Sequence, residues 1–155
     1  YPNGKGLPAI TLDMRGNKAT NRQIAEFIKS ELKKIGIPIK IVLNTFPGFL
    51  HKSRKGELQF WLDGWAMDYP DAENSLQLLY SKNAPPGPNS TYFNNTKFDQ
   101  LFSRLKKLPE NDEKLRIMNQ LENIVLDYLP WVMLHYSRTY VLKHDKVIIY
   151  FYNYL

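Results

Sequence analysis

One short stretch of the sequence concentrates side chains that could hold a ligand. Residues 64–71 combine a glycine, a tryptophan, two carboxylates and a proline. The stretch follows a predicted buried strand and precedes a predicted helix, and ligands of open α/β sheets bind outside the carboxyl ends of the strands. Asp68 can act as an acid or base, pair with a cationic ligand group such as an ammonium, or close an Asx turn. Asp71 is expected to be the N-cap of the following helix.

The other residues with reactive side chains do not form a catalytic or metal-binding pattern. The chain has no cysteine, which excludes a thiolate zinc site and a cysteine nucleophile. His51, His135 and His144 lie far apart in the sequence and lack metal-ligand spacing. Asp68 and Asp71 could form the carboxylate pair of an enzyme, but nothing else supplies an oriented nucleophile or base. We therefore expect no catalytic residue, no metal and no cofactor.

Composition and charge describe one globular domain of 155 residues, of which 43% are hydrophobic. The net charge of +6 makes a basic nucleic-acid-binding module an alternative. The lysines and arginines are spread along predicted helix faces, however, so we expect a solvated surface and no nucleic-acid partner. No stretch approaches the ~20 apolar residues that span a bilayer. Because the sequence starts with a turn-rich string and no initiator methionine, we interpret it as the middle of a longer protein.

The elements predicted around residues 64–71 form an α/β layer. Apolar alternation and β-branched residues predict strands at 9–15 and 37–43, and an apolar, aromatic run predicts a third strand at 58–65, buried on both faces. Helical spacing predicts helices between these strands, the first capped by Thr20 with Gln23 and the second covering 46–55. Further helices are predicted at 71–80 and after the caps Thr96 (with Asp99) and Asn111, and further strands at 130–136 and 139–142.

Four stretches occur in an order and spacing that resemble one known family. They are Tyr1–Leu12, Leu32–Ile37, Gly64–Asp71, and a final group made of Asn89–Tyr92, Phe98-Asp99 and Leu129–Val132. Together they resemble family 5 of the bacterial extracellular solute-binding proteins, the oligopeptide- and dipeptide-binding group. The resemblance implies an α/β fold, a periplasmic-binding-protein lobe of type II with a central mixed sheet flanked by helices. Residues 1–145 would form the C-terminal ligand-binding lobe, and residues 146–155 a tail that leads back to a missing N-terminal lobe.

The resemblance also implies a function. The chain would belong to the substrate-binding component of a peptide ABC transporter, periplasmic or extracytoplasmic, with a signal peptide in the missing N-terminal part. Its partners would be a peptide, the N-terminal lobe and an ABC permease, and it would not be an enzyme. The alternative within this fold is another small solute, such as a sugar, an opine or a metal chelate.

The resemblance assigns ligand-binding roles to the central motif. Asp68 would pair with the N-terminal ammonium of the peptide, and Trp65 would line the pocket beside it. Main-chain groups around Gly64 and Ala66 would hydrogen-bond the peptide backbone, and Met67 and Tyr69 complete the predicted site. Some family members carry an arginine before the motif glycine that meets the peptide carboxylate, whereas here Leu62 and Asp63 occupy that stretch.

Overall fold

The structure is a computed structural model of the chain, and it describes residues 1–136, 138, 140, 142, 144 and 146. The strands of the described part are β1 (Ile10–Arg15), β2 (Ile39–Asn44) and β3 (Phe60–Trp61). Its α-helices are α1 (Ala19–Lys34), α2 (Phe46–Lys55), α3 (Ala72–Leu76), α4 (Thr96–Leu105) and α5 (Asp112–Tyr128). Short 3-10 helices cover Pro2–Gly4, Gln77–Leu79 and Ser81–Asn83.

The first layer is the predicted β-α-β-α-β unit. The strand order is β2-β1-β3, and the central strand pairs in parallel with both neighbours, so that Leu12 lies opposite Ile41 and Phe60. The buried core between α1 and the sheet consists of Leu12, Met14, Ala25 and Ile39. Because all three strands run in the same direction, their carboxyl ends meet at one edge of the sheet, where ligands bind in open α/β sheets.

A close contact between two glycines joins the N-terminal turn to the end of α1. Gly4 and Gly36 have positive φ angles of 73° and 80°, which favour glycine. A Cβ atom on Gly36 would lie 2.2 Å from the carbonyl oxygen of Asn3, so no side chain fits there. Two of the stretches that carry the family resemblance are therefore in direct contact.

The second layer consists of α3, α4 and α5 around an aromatic core. Its buried residues are Leu79, Tyr80, Phe98, Phe102, Leu105, Ile117, Leu121 and Ile124. Phe98 stacks on Phe102 with ring centroids 6.2 Å apart, and Tyr80 packs against Phe102 at 5.0 Å. The chain passes from the first layer to the second through residues 62–71, which contain the central motif.

Several predicted helix ends are confirmed. The second helix covers residues 46–55 and ends at Gly56, which adopts the left-handed conformation. Asp71 caps α3 by accepting a hydrogen bond from the Glu73 backbone N–H, and Asn111 caps α5 by accepting one from the Lys114 N–H. These caps depend on residues three or fewer positions apart, which is why the sequence reveals them.

Two other predicted caps are wrong. The first helix begins one residue before Thr20 and has no side-chain cap. The cap of α4 is Asn95, whose Oδ1 accepts from the Phe98 N–H, and not Thr96. Asparagine is at least as good a cap as threonine, and Asp99 instead accepts a hydrogen bond from the Ser81 backbone N–H at 3.0 Å.

The predicted strands are the part of the fold that needs most correction. The third strand is limited to two residues instead of residues 58–65, in part because the Gln59 side chain accepts from the Thr11 N–H, a donor that a strand neighbour would otherwise use. Residues 130–136 form no strand, and none of the described strands pairs with them. The described sheet is therefore entirely parallel and not mixed. The strand predicted at 139–142 and the tail at 146–155 fall mainly outside the described residues.

Candidate ligand-binding site

An ion pair that the sequence did not reveal lies at the carboxyl edge of the sheet. Arg15 is the last residue of β1, and its Nη1 donates to Asp63 Oδ1 over 3.2 Å. Asp13 of β1 lies opposite Trp61 of β3. Arg15 and Asp63 are each two residues further along, so their contact continues the same register. The guanidinium also lies 5.6 Å from the ring centroid of Phe46, the first residue of α2. The two charged side chains are 49% and 41% exposed, so a ligand can reach them.

A buried carboxylate lies directly behind this edge. Asp13 is 1% exposed and accepts hydrogen bonds from Lys52 Nζ at 2.7 Å and from Asn44 Nδ2 at 2.8 Å. A carboxylate is stable in the interior only when a cation and hydrogen-bond donors compensate its lost hydration. Because Lys52 belongs to α2 and Asn44 ends β2, this one carboxylate fixes both elements against β1.

The indole of Trp65 is anchored from the second layer. Its Nε1 donates to Asn74 Oδ1 over 2.7 Å. Asn74 belongs to α3 and is 1% exposed, whereas Trp65 is 46% exposed. The indole therefore has its polar edge fixed inside the protein while much of the ring faces solvent.

Asp71 anchors the other end of the motif. Besides capping α3 through Oδ1, it forms an ion pair through Oδ2 with Lys114 of α5, which also bonds to Glu110. The hydrogen bond from Lys114 keeps the pKa of Asp71 below its ordinary value, and the bonds to Asp71 and Glu110 raise the pKa of Lys114. Asp71 is thus held as an anion and Lys114 as a cation over the whole physiological range.

Asp68 lies between these two anchors, and its side chain is exposed. Within residues 1–136 and the described positions beyond them, no side chain or backbone group donates a hydrogen bond to it and no cation lies within ion-pair distance. An Asx turn would require its carboxylate to accept a nearby backbone N–H. No contact in the described structure therefore supports an Asx turn at Asp68, and the Asp68 carboxylate is accessible to an external cation.

The remaining predicted site residues form the exposed backbone on either side of Asp68. Gly64, Ala66 and Tyr69 are exposed and Met67 is half-buried. Within the described part of the chain, the backbone N–H groups of Ala66 and Met67 have no hydrogen-bond partner, so they are free to bond a ligand. Within the described residues, the Tyr69 side chain makes one long hydrogen bond of 3.5 Å, from its Oη to Glu73 Oε2.

The structure adds four residues to those predicted: Asp13, Arg15, Asn74 and Lys114. One of them was detectable in the sequence, because Lys114 lies at helical spacing from the buried Ile117 and Leu121 and a lysine in an apolar stripe needs a partner. The others have no local signal, since their partners are distant in the sequence or lie in another element.

The described part of the chain offers no alternative metal or membrane site. His51, His135 and His144 are each exposed. The described residues contain no group of three or more potential metal ligands. Among the described helices, none has the length and apolar character to cross a membrane.

A family model matches residues 1–87, more than half of the chain, and it describes "Bacterial extracellular solute-binding proteins, family 5 Middle". The chain belongs to family 5 of the bacterial extracellular solute-binding proteins. The match covers the first layer, the central motif and α3. Family 5 members are extracytoplasmic binding proteins, and the fold of this chain is the α/β fold of a type II periplasmic-binding-protein lobe.

Individual relatives extend the similarity beyond the family model. The dipeptide-binding protein DppE of Bacillus subtilis is 29% identical over 144 residues, which cover 91% of this chain and 25% of DppE. Heme-binding protein A of Haemophilus influenzae is 28% identical, with 88% of this chain and 25% of the relative covered. The chain therefore spans about a quarter of the length of the curated relatives it matches.

Solved structures give the same fold. The ABC transporter-associated periplasmic binding protein DppA of Helicobacter pylori, in complex with the peptide STSA, is 25% identical and has a TM-score of 0.70, covering 83% of this chain and 26% of DppA. A periplasmic oligopeptide-binding protein of Borrelia burgdorferi is 22% identical and has a TM-score of 0.73, covering 84% of this chain and 26% of that protein.

Proposed function

We propose that residues 1–145 are the C-terminal ligand-binding lobe of the extracytoplasmic substrate-binding component of a peptide ABC transporter. The family and the peptide-binding relatives support this proposal. In it, the chain binds and does not catalyse, and it acts together with an N-terminal lobe and an ABC permease. The ligand is a peptide whose N-terminal ammonium pairs with Asp68.

The observation that carries this proposal is the environment of Asp68. Its carboxylate is exposed in the segment that follows β3, without a cation among the described residues, while Trp65 and Asp71 hold the segment on both sides. An ammonium is a compact cation with three donors, and it can lie between this carboxylate and the exposed indole face of Trp65, where cation–π attraction adds to the ion pair.

The free backbone beside Asp68 accounts for binding that does not depend on peptide sequence. The N–H groups of Ala66 and Met67 lack partners in the described structure, and extended peptides bind such groups by adding main-chain hydrogen bonds. These bonds do not involve peptide side chains. A site built in this way accepts peptides of many sequences.

Arg15 supplies a cation for the C-terminal carboxylate of a short peptide. Its guanidinium lies at the same edge as the motif and forms an exposed pair with Asp63. Exposed ion pairs contribute little stability, so a ligand carboxylate can replace Asp63 as the partner of Arg15. Arg15→Met should abolish any preference for a dipeptide over its C-terminal amide, whereas an unchanged preference would remove Arg15 from the proposal.

The test of the proposed function is to identify the ligand bound to the complete protein. We expect mass spectrometry of the native purified protein to reveal short peptides, and calorimetry to measure their binding after the ligand has been removed by unfolding and refolding. A sugar, an opine, a metal chelate or heme as the bound species would contradict the proposal; heme is included because one relative is Heme-binding protein A. Salt-dependent binding of an oligonucleotide, without peptide binding, would instead favour the basic nucleic-acid-binding module.

A further inference from the structure

The hydrogen bond between Trp65 and Asn74 is an unusual one. The acceptor, Asn74 Oδ1, belongs to a side chain that is 1% exposed, and the donor belongs to an indole that is 46% exposed. Asn74 Nδ2 is buried and has no hydrogen-bond partner in the described structure. Buried polar atoms in folded proteins are nearly always paired, so this amide calls for an explanation other than stability.

The contacts of the Asn74 amide leave the indole as its single side-chain partner in the described part of the chain. Its own backbone carbonyl accepts from Gln77 Nε2 at 3.1 Å, but that bond does not require an asparagine at position 74. An apolar side chain of similar volume would remove the unpaired Nδ2 and would favour folding. What such a replacement would lose is the acceptor that holds Trp65.

We propose that Asn74 is a positioning residue, which sets ligand affinity by holding the Trp65 indole in one orientation without touching the ligand. This inference rests on the proposed function, because it assigns to Trp65 the wall of the ligand pocket beside Asp68. An exposed indole without this bond would rotate about both of its side-chain torsions. The ligand would then have to immobilise the ring on binding, which lowers affinity.

The experiment measures the bond and the affinity separately in the complete protein. Selective labelling of tryptophan with ¹⁵N gives one indole N–H signal for each tryptophan, and Trp65→Phe identifies the signal of Trp65. Binding of a dipeptide is measured by calorimetry. Asn74→Leu removes the acceptor and keeps a similar side-chain volume, whereas Asn74→Ala removes the same acceptor with a smaller side chain.

We expect Asn74→Leu to shift the Trp65 indole signal in the ligand-free protein and to weaken dipeptide binding about fivefold, the equivalent of about 1 kcal/mol. Asn74→Ala should shift the indole signal in the same direction and weaken binding by a similar factor, because it removes the same hydrogen bond. In a Trp65→Phe protein, Asn74→Leu should cause no further loss, because the bond is already absent. An additive loss there, or unchanged binding in Asn74→Leu, would overturn the proposal.

Asn89→Ala is the matched control. Asn89 is also fully buried, and its amide donates to the carbonyl oxygens of Tyr80 and Phe93. Asn89→Ala should lower stability while leaving the Trp65 indole signal and the dipeptide affinity unchanged. If Asn89→Ala instead changed the signal and the affinity as much as Asn74→Leu does, loosening of the helical layer would explain both results and the proposal would fail. If Asn74→Leu does not fold, Trp65→Phe and Asn74→Ala test the same bond. If the original protein binds no peptide, the proposed function fails, and the indole signal still reports whether Asn74 orients Trp65.

Discussion

Replacing Asp68 with asparagine tests the ligand-binding site most directly. The substitution keeps the shape of the side chain and removes its charge. In this chain the carboxylate is exposed, and an ion pair at such a surface contributes only about 0.2–1 kcal/mol, or less than about fivefold in affinity. Closure of the N-terminal lobe over the ligand would exclude water from the pair. Leaving a buried ammonium unpaired costs about 3–5 kcal/mol, which corresponds to about 10²–10³-fold in affinity or somewhat more.

The size of the loss therefore reports whether the pair becomes buried. We expect calorimetry on the complete protein to give the larger loss for Asp68→Asn with an unmodified dipeptide. The same substitution should have little effect on an N-acetylated dipeptide, which has no ammonium and which the original protein should already bind weakly. Asp127→Asn is the matched control, because Asp127 is an exposed carboxylate near the far end of α5.

Two results would refute this reasoning. A loss of less than about threefold for the unmodified dipeptide would mean that Asp68 does not form a desolvated pair. An equal loss for the acetylated dipeptide would mean that Asp68 acts on something other than the ammonium. Either result would leave the fold and the family membership unaffected.

Three further changes test the packing that positions the site. Lys52→Met removes the cation beside the Asp13 carboxylate, which is 1% exposed. Urea unfolding should show a loss of about 2–3 kcal/mol in the free energy of unfolding. The control Lys55→Met, on the same helix, should change it by less than about 0.5 kcal/mol. Phe98→Ala empties a site that is 0% exposed and should cost about 3–5 kcal/mol; a loss below about 1 kcal/mol would contradict the assigned core. The lowered pKa of Asp71 contributes stability that is present above its ordinary value of 3.8 and is lost as the pH falls below it. Lys114→Met should therefore make stability less dependent on pH in acid, and an unchanged acid dependence would contradict the role of this pair.

The sequence predicts the parts of this fold that depend on near neighbours along the chain. Apolar alternation identifies β1, β-branched residues identify β2, and the caps at Asp71 and Asn111 are confirmed. The central motif was also recognisable, because its residues are contiguous and follow a strand. The sequence could not predict the extent of β3 or the conformation of residues 130–136, because a strand is completed by hydrogen bonds to a segment that is distant in the sequence.

The tertiary structure alone decides which side chains support the motif. Arg15 meets Asp63 across 48 residues, and Lys114 meets Asp71 across 43. Neither separation corresponds to a helical or strand repeat, so no local pattern marks these pairs. The sequence by itself determined that Asp68 follows a strand end in a family motif, while the fold determined that the carboxylate is exposed between two anchored neighbours. The physical reason is that backbone conformation follows from adjacent residues, whereas the environment of a charge depends on which distant groups are packed around it.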